Sequence, residues 1–230
     1  MTEAKQSLAE LFGELQAERQ RTWTPEAYQI QANQRQRLVE DFAQRTYAAA
    51  GDVVAPLPLL DVTSGTIALD DLVAGGPAVL IFFRHAGCPA CNIALPYYQR
   101  ELAPALKKLG VPLVAVSPQV PERLADIKTR HNFDFVVASD PDNALGKSLN
   151  IVFESDEPSK QAALATGISL GDLIGTGTWE LPAPAVIILD KGRVIRFIDI
   201  SPDWVVRTEA ETVIGQVQKV LEKVPEAQRI

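Results

Sequence analysis

The chain has 230 residues, of which 47% are hydrophobic and 22% are charged. This length and composition fit one large folded domain, or one domain with an appendage, and exclude a disordered or fibrous chain. The 22 Lys and Arg residues against 29 Asp and Glu give a net charge of −7, which argues against nucleic acid or an anionic membrane as the main partner. No apolar run approaches the roughly 18 residues of a membrane span, and the first residues hold no apolar secretion signal, so we expect a cytoplasmic protein.

The first 50 residues are predicted to form a helical extension. Hydrophobic residues recur at the three- and four-residue spacings of a helix face: Leu8, Leu11, Phe12 and Leu15. Thr24 followed by Pro25 is typical of the start of a second helix, with Thr as the cap and Pro in the first turn. The apolar face must be buried, either on the rest of the chain or against a second copy in a homodimer, and the sequence leaves both open.

Residues 51–230 are predicted to alternate between strands and helices. Apolar segments predict strands at 77–83, 111–116 and 135–138, and a hairpin at 186–200. Helical patterns cover 89–109, 121–131, 144–149 and 209–221. A polar, Gly-rich segment near 152–178 is predicted to be an insertion. The order of these elements predicts an α/β domain with a mixed central sheet flanked by helices.

The sequence contains two cysteines, Cys88 and Cys91, in a Cys-x-x-Cys spacing. This pair alone supplies half of a zinc site, and His85 and His131 lack the spacing of zinc-finger ligands, so we predict no metal site. A framework of structural disulfides is excluded as well. The remaining interpretation is a redox-active dithiol that works without a further cofactor.

The position of the first cysteine favours a reactive thiol. Cys88 directly follows a predicted buried strand and opens a predicted helix, with Pro89 at the first helical position. A helix N-terminus presents unpaired N–H groups and a positive dipole end, and such placements lower the pKa of a cysteine from about 8.5 to roughly 3.5–7.5. Cys91 lies one helical turn later, within reach of a disulfide. We therefore expect Cys88 to be the exposed, attacking thiol and Cys91 the resolving thiol.

Residues 82–91, with the sequence FFRHAGCPAC, resemble the thioredoxin fold and, more narrowly, the peroxiredoxin-like branch of the alkyl hydroperoxide reductase/thiol-specific antioxidant family. The resemblance covers about residues 53–222. It makes Pro96 the counterpart of the proline that kinks the helix in thioredoxins. It also implies that Pro184, after Ala183, is the cis-proline that shapes the loop facing the dithiol. The fold implied is thioredoxin-like, with an N-terminal helical extension.

The chain departs from the family pattern just before the first cysteine. Typical peroxiredoxins carry a threonine three residues before the reactive cysteine and a proline four residues before that threonine, and His85 and Ile81 stand at these places. Without the threonine hydroxyl, activation falls to Arg84, to His85, to the helix N-terminus or to a group from another loop. We expect Arg84 to stabilise the thiolate or to form a surface ion pair, and His85 to act as a charged partner or acid/base for the thiol, or else to be exposed.

Trp179 and Glu180, which precede the predicted cis-proline, are further candidates for the site. Trp179 is predicted to wall the dithiol, and Glu180 either to pass protons to Cys91 or to form a salt bridge.

The resemblance implies a hydroperoxide reductase. Cys88 would attack the peroxide, Cys91 would form the disulfide, and a thioredoxin-like or glutathione donor would reduce it. The missing threonine keeps an alternative open, a protein disulfide oxidoreductase without peroxidase activity.

Overall fold

The computed structural model describes residues 6–63 and 65–223. Two helices form the predicted N-terminal extension, α1 (Leu8–Thr22) and α2 (Pro25–Ala43). Ser7 and Glu10 form a capping box at the start of α1. The Thr24 side chain accepts a hydrogen bond from the Ala27 N–H at 3.2 Å, with Pro25 in the first turn, as the sequence predicts.

A seven-stranded mixed sheet forms the centre of the domain. Its strands are β1 (Leu59–Asp61), β2 (Gly65–Ile67), β3 (Ala78–Phe82), β4 (Leu113–Ser117), β5 (Val136–Ser139), β8 (Ala185–Asp190) and β9 (Val194–Ile200). The order is β2-β1-β5-β4-β3-β8-β9, in which β3, β4 and β5 are parallel and the other pairs are antiparallel. Two further strands, β6 (Val152–Glu154) and β7 (Glu180–Pro182), pair with each other. The predicted mixed α/β fold is confirmed.

Eight helices complete the described part of the chain: α3 (Leu69–Leu72), α4 (Pro89–Glu101), α5 (Ala103–Lys108), α6 (Pro121–His131), α7 (Ala144–Ser148), α8 (Glu157–Ala165), α9 (Leu170–Ile174) and α10 (Ala210–Lys223). The single helix predicted at 89–109 is wrong in one respect, since it breaks at Leu102 into α4 and α5. Pro104 explains the break, because it has no N–H to continue the hydrogen bonds of α4. Pro96, in contrast, lies inside α4.

Both faces of the sheet are covered by apolar side chains. Along β3, Val79 and Ile81 belong to one core, whereas Ala78, Leu80 and Phe82 belong to the other. This alternation explains the unbroken apolar run in the sequence, because each strand residue is buried on one side or the other. The first core also takes in α1, α2, α4, α6 and α10, and it includes both cysteines.

The N-terminal extension packs on the same chain. Leu8 and Phe12 of α1 are 1% and 3% exposed, and α1 lies against α4. The carboxylate of Glu209 accepts hydrogen bonds from the first N–H groups of α1, those of Leu8 and Ala9, each at 3.1 Å, and from the Tyr97 hydroxyl of α4 at 2.7 Å. Intrachain packing thus accounts for the apolar face of α1, and the homodimer stays a prediction.

Residues 152–178 contain β6, α8 and α9, and α8 packs against α2. The domain boundary at residue 50 and the assignment of this segment as an insertion stay predictions. None of the described helices is long and apolar enough to cross a lipid bilayer.

The contacts of Glu209 predict that its carboxylate holds the start of α1 against α4. In Glu209→Gln the amide nitrogen cannot accept, so an N–H of α1 or the Tyr97 hydroxyl loses its acceptor, and we expect the free energy of unfolding to fall by about 2 kcal/mol. Glu211→Gln, at an exposed position two residues further on, is the control and should change it by less than about 0.5 kcal/mol. Urea unfolding measures both, and equal effects would contradict the role given to Glu209.

Candidate active site

The loop between β3 and α4 is held in place by one side chain at the end of β4 and one just after it. The Ser117 hydroxyl donates to the carbonyl of Arg84 at 3.0 Å, and the buried Gln119 side chain accepts from the N–H of Ala86 at 2.8 Å. The Gln119 amide also donates to the carbonyl of Leu173 at 3.2 Å, which ties the loop to α9. Because β3 and β4 are parallel neighbours, their ends meet at one edge of the sheet, and this edge carries the cysteines.

Cys88 is the N-cap residue of α4, with Pro89 in the first turn, as the sequence predicts. Its carbonyl accepts hydrogen bonds from the backbone N–H of Asn92 at 3.0 Å and from the Asn92 side chain at 2.9 Å. The side-chain oxygen of Asn92 lies 2.8 Å from His131 Nε2, within hydrogen-bond distance, and His131 is partly buried. The Cys88 side chain makes no capping bond to its own helix, which leaves the sulfur available to Cys91.

The two thiols are reduced and buried, and they are hydrogen-bonded to each other. The Cys91 hydrogen bond lowers the pKa of Cys88 well below its ordinary value, and the positive charges of Arg84 and Arg207 act in the same direction, against burial. Burial, the hydrogen bond to Cys88 and the Cys88 charge raise the pKa of Cys91. Of the two thiols, Cys88 is therefore the one that loses its proton first, and Cys91 keeps its proton to a higher pH.

The prediction that Cys88 is exposed is wrong. Its exposed fraction is 2%, and it belongs to the same core as the apolar residues of α1 and α2. The local pattern of strand end and helix start correctly indicates a low thiol pKa. It contains no information on the extension, which is remote in sequence and packs against the helix that carries the thiol.

His85 is buried, so its interpretation as an exposed residue is wrong, whereas its role as a charged partner or acid/base for the thiol stays a prediction. It is 8% exposed, and burial lowers the pKa of its imidazole to about 4. Burial therefore disfavours an imidazolium at neutral pH, and the permanent positive charges that lower the pKa of Cys88 are those of Arg84 and Arg207. Within the described residues, His85 Nδ1 has no hydrogen-bond partner.

Two site residues from the far end of the chain were missed by sequence reasoning. Arg207 lies within electrostatic range of both thiols, and Trp204 is 2% exposed, with the Arg84 guanidinium 4.8 Å from the centre of its ring. Arg84 thus has an aromatic partner rather than the surface ion pair that the sequence left open. Both missed residues lie in the turn between β9 and α10, more than 110 positions after Cys88, and no local motif marks them.

The peptide bond before Pro184 is trans, as are the others among the described residues, so the predicted cis-proline is wrong. The chain runs extended from β7 into β8. The Ala183 N–H donates to the Ile151 carbonyl at 2.8 Å, and the Pro184 carbonyl accepts from the Ser201 N–H at 2.7 Å. These hydrogen bonds, to Ile151 on one side and to Ser201 on the other, hold the backbone of the segment extended. Pro184 still adjoins the dithiol, because it lines a cavity of about 10 Å³ together with Cys91 and Arg207.

The side chains of Trp179 and Glu180 have different surroundings in the structure. The Glu180 carboxylate lies 2.6 Å from Lys147 Nζ, so the salt bridge is formed, and no contact with Cys91 accompanies it among the described residues. Trp179 lines a cleft that also contains Arg84, His85 and Pro89.

This cleft has a volume of about 670 Å³ and lies between α2, α8, α9 and the loop that precedes Cys88. Its walls are mainly apolar: Trp23, Ala27, Ile30, Ala162, Ala163, Ile168, Leu170, Leu173 and Trp179. Among its lining residues Arg84 is the one cation, and none is a carboxylate. The volume and character are those of a site for a small organic molecule.

A Cys-x-x-Cys pair at the start of a helix, directly after a central strand of a mixed sheet, defines a thioredoxin-like protein with thiol chemistry. The model of the AhpC/TSA family matches residues 49–198, more than half of the chain. The chain belongs to this family, as the sequence resemblance implies. At family level it is a peroxiredoxin-like thiol oxidoreductase. Comparison with curated proteins gives no match.

Solved structures share the fold at low sequence identity. Peroxidoxin BcpB from Mycobacterium tuberculosis has a TM-score of 0.57 at 18% identity, and 74% of this chain and 97% of that chain are covered. Reduced Prx3 from Vibrio vulnificus in complex with hydrogen peroxide has a TM-score of 0.59 at 21% identity, with 74% and 99% covered. A candidate protein disulfide isomerase from Bacteroides thetaiotaomicron has a TM-score of 0.53 at 11% identity, with 80% and 96% covered.

The burial of neutral His85 predicts a pH dependence of stability. Its pKa is about 4 in the folded protein and about 6.5 when unfolded, so between these values the unfolded chain binds a proton that the folded chain does not. The contribution of neutral His85 to the free energy of unfolding is fully present above pH 6.5. It is lost as the pH falls towards 4, and the total loss is about 3 kcal/mol.

Urea unfolding of the wild type and His85→Gln between pH 7 and pH 4.5 measures this contribution. The wild type should lose more stability than the variant over this range. His131→Gln is the control and should keep most of the wild-type slope, because His131 is less buried. Parallel pH profiles for the wild type and His85→Gln would contradict the assignment.

Proposed function

We propose that this protein is a hydroperoxide reductase in which Cys88 is the attacking thiolate and Cys91 the resolving thiol. The observation that carries the proposal is the environment of the Cys88 sulfur, in which the Cys91 hydrogen bond and the charges of Arg84 and Arg207 lower the thiol pKa. The thiolate, not the thiol, is the nucleophile, so a lowered pKa keeps Cys88 reactive at neutral pH.

In the first step the Cys88 sulfur attacks the terminal oxygen of the hydroperoxide. An S–O bond forms and the O–O bond breaks. The thiolate becomes a sulfenic acid, and the leaving alkoxide takes a proton from water and departs as an alcohol. Sulfur is oxidised by two electrons and the peroxide is reduced by two.

The two arginines take over the task of the missing threonine. In the described structure Arg84 Nε, Arg207 Nε and Arg207 Nη2 are buried N–H donors without a hydrogen-bond partner. Such donors would bind the peroxide oxygens and stabilise the negative charge that develops on the leaving oxygen. Neutral His85, at the threonine position, would add one ring nitrogen without a charge.

In the second step Cys91 attacks the Cys88 sulfenic acid, an S–S bond forms and water leaves. The charge and hydrogen bond of Cys88 help to hold the pKa of Cys91 high before oxidation. Once Cys88 is a sulfenic acid its charge is gone, so Cys91 loses a proton more readily. The order of the two steps therefore follows from the coupling of the two thiols.

The 670 Å³ cleft favours an organic hydroperoxide with an apolar body. Its apolar walls would bind the alkyl or aromatic part of the substrate, and Arg84 and His85 would lie at the end where the peroxide group enters. The disulfide product needs two electrons, for which one dithiol of a thioredoxin-like protein or two molecules of glutathione are the proposed reductant. No cofactor other than the Cys88–Cys91 disulfide is required.

The proposal predicts fast oxidation of the reduced protein by cumene hydroperoxide in a stopped-flow experiment. The rate constant should exceed that of a free thiol of the same pKa by orders of magnitude, and Cys88→Ser should abolish it. Cys91→Ser should keep this first step and block turnover. Oxidation no faster than a free thiol, with either cumene hydroperoxide or hydrogen peroxide, would refute the peroxidase.

A variant that fills the cleft tests the substrate class separately. Ala163→Phe should slow the reaction with cumene hydroperoxide about tenfold and leave the reaction with hydrogen peroxide unchanged, because only the larger substrate needs the cleft. Ala165→Phe, on the exposed side of the same helix, is the matched control and should change neither rate. Unchanged rates in Ala163→Phe would remove the cleft from the reaction.

The second candidate function is a protein disulfide oxidoreductase. The replacement of the threonine by His85 favours it, because the Cys88–Cys91 pair alone suffices for thiol–disulfide exchange. Slow peroxide oxidation together with fast reduction of insulin disulfides would establish this activity instead.

A further inference from the structure

Three arginines from distant parts of the chain surround Trp204. The Cζ atoms of Arg84, Arg19 and Arg35 lie 4.8, 5.4 and 5.9 Å from the centre of the indole ring, within the range of cation–π contacts. Arg84 belongs to the loop before Cys88, whereas Arg19 lies on α1 and Arg35 on α2. The N-terminal extension therefore brings two positive charges to the same aromatic side chain that holds Arg84.

Arg19 differs from the other basic residues of the extension in its burial. It is 5% exposed, its guanidinium donates to the Gln31 side chain at 2.8 Å, and it lies 4.9 Å from the centre of the Trp23 ring as well. None of the described carboxylates forms a salt bridge with it, whereas Arg35 has Asp203 at 3.3 Å. A buried cation without a carboxylate partner is costly unless another negative charge is within range.

Two negative charges lie within range of Arg19, and that of Cys88 acts on it more strongly than that of Glu18. Burial lowers the pKa of Arg19, and the Cys88 thiolate acts in the opposite direction and raises it. The mutual attraction stabilises the charged form of each group.

The position of Arg19 is fixed by contacts on both sides of it along α1. The helix begins at the Glu209 carboxylate, which also binds Tyr97 of α4, and it packs along α4, the helix that Cys88 caps. Behind Arg19, the Trp23 ring covers the guanidinium from the end of the helix.

We propose that Arg19 is a positioning residue of the thiol site, through which the N-terminal extension stabilises the Cys88 thiolate from across the Trp204 ring. The extension is then part of the working site rather than an appendage that only covers it. This inference concerns the charge of the thiolate and does not depend on whether the thiolate attacks a hydroperoxide or a disulfide.

The test is a pH titration of the reduced full-length protein by thiolate absorbance at 240 nm, which needs no reagent to reach the buried sulfur. The same titration of Cys88→Ser provides the baseline. Arg19→Met keeps an unbranched side chain in the buried position and removes the charge. We expect the midpoint of Cys88 to move upward, so that the thiolate fraction at a pH below the midpoint falls about threefold to tenfold.

Two further variants separate charge from packing. Arg19→Lys keeps the charge and should keep the midpoint close to that of the wild type. Arg21→Met removes a charge from an exposed position of the same helix and should leave the midpoint unchanged. A midpoint in Arg19→Met equal to that of the wild type, or a midpoint in Arg19→Lys raised as far as in Arg19→Met, would overturn the proposal.

If Arg19→Met does not fold, as judged by circular dichroism, Trp204→Phe gives the second measurement. Phenylalanine keeps an aromatic ring for the three guanidinium groups, and phenylalanine is a weaker cation–π partner than tryptophan. The thiolate midpoint should rise above that of the wild type, and addition of salt should change it little because the cluster is buried. An unchanged midpoint in this variant would count against the arrangement.

Discussion

The hydrogen bond from the Cys91 thiol to the Cys88 sulfur is the interaction on which the site depends. Cys88 is buried, and a negative charge in an apolar core would ordinarily be neutralised by a proton. The hydrogen bond, the start of α4 and the guanidinium groups of Arg84 and Arg207 together offset the cost of burial. The polar groups near the start of α4 are therefore arranged around the buried Cys88 sulfur.

The sheet determines where that anion lies. β3 and β4 are parallel, and two polar residues at and just after the end of β4, Ser117 and Gln119, hydrogen-bond the loop that leads from β3 to Cys88. Because both faces of the sheet are packed, its carboxyl edge is the place where unpaired loop groups and helix starts meet. The cleft opens beside this edge, so the apolar walls contributed by α2, α8 and α9 adjoin the loop before Cys88.

Local patterns in the sequence predict the parts of the fold that depend on neighbouring residues. The apolar run of β3, the cap at Thr24 and the start of α4 at Cys88 and Pro89 are of this kind. The errors concern contacts between distant segments. The exposure of Cys88 and the charge of His85 depend on what packs over the loop, and Arg207 and Trp204 reach the site through the turn after β9. The conformation of the peptide bond before Pro184 depends on distant residues, because Ala183 is hydrogen-bonded to Ile151 and Pro184 to Ser201.

The stabilised thiolate has a consequence for the flow of electrons. In the proposed cycle, whatever lowers the free energy of the Cys88 thiolate stabilises the reduced state relative to the Cys88–Cys91 disulfide. Thiol pairs of this kind have less negative reduction potentials, and their disulfides accept electrons readily from a donor of ordinary potential. The low-pKa sulfur is also the better leaving group when a donor thiolate attacks its Cys91 partner. The charges that prepare the thiolate for oxidation therefore also favour its regeneration.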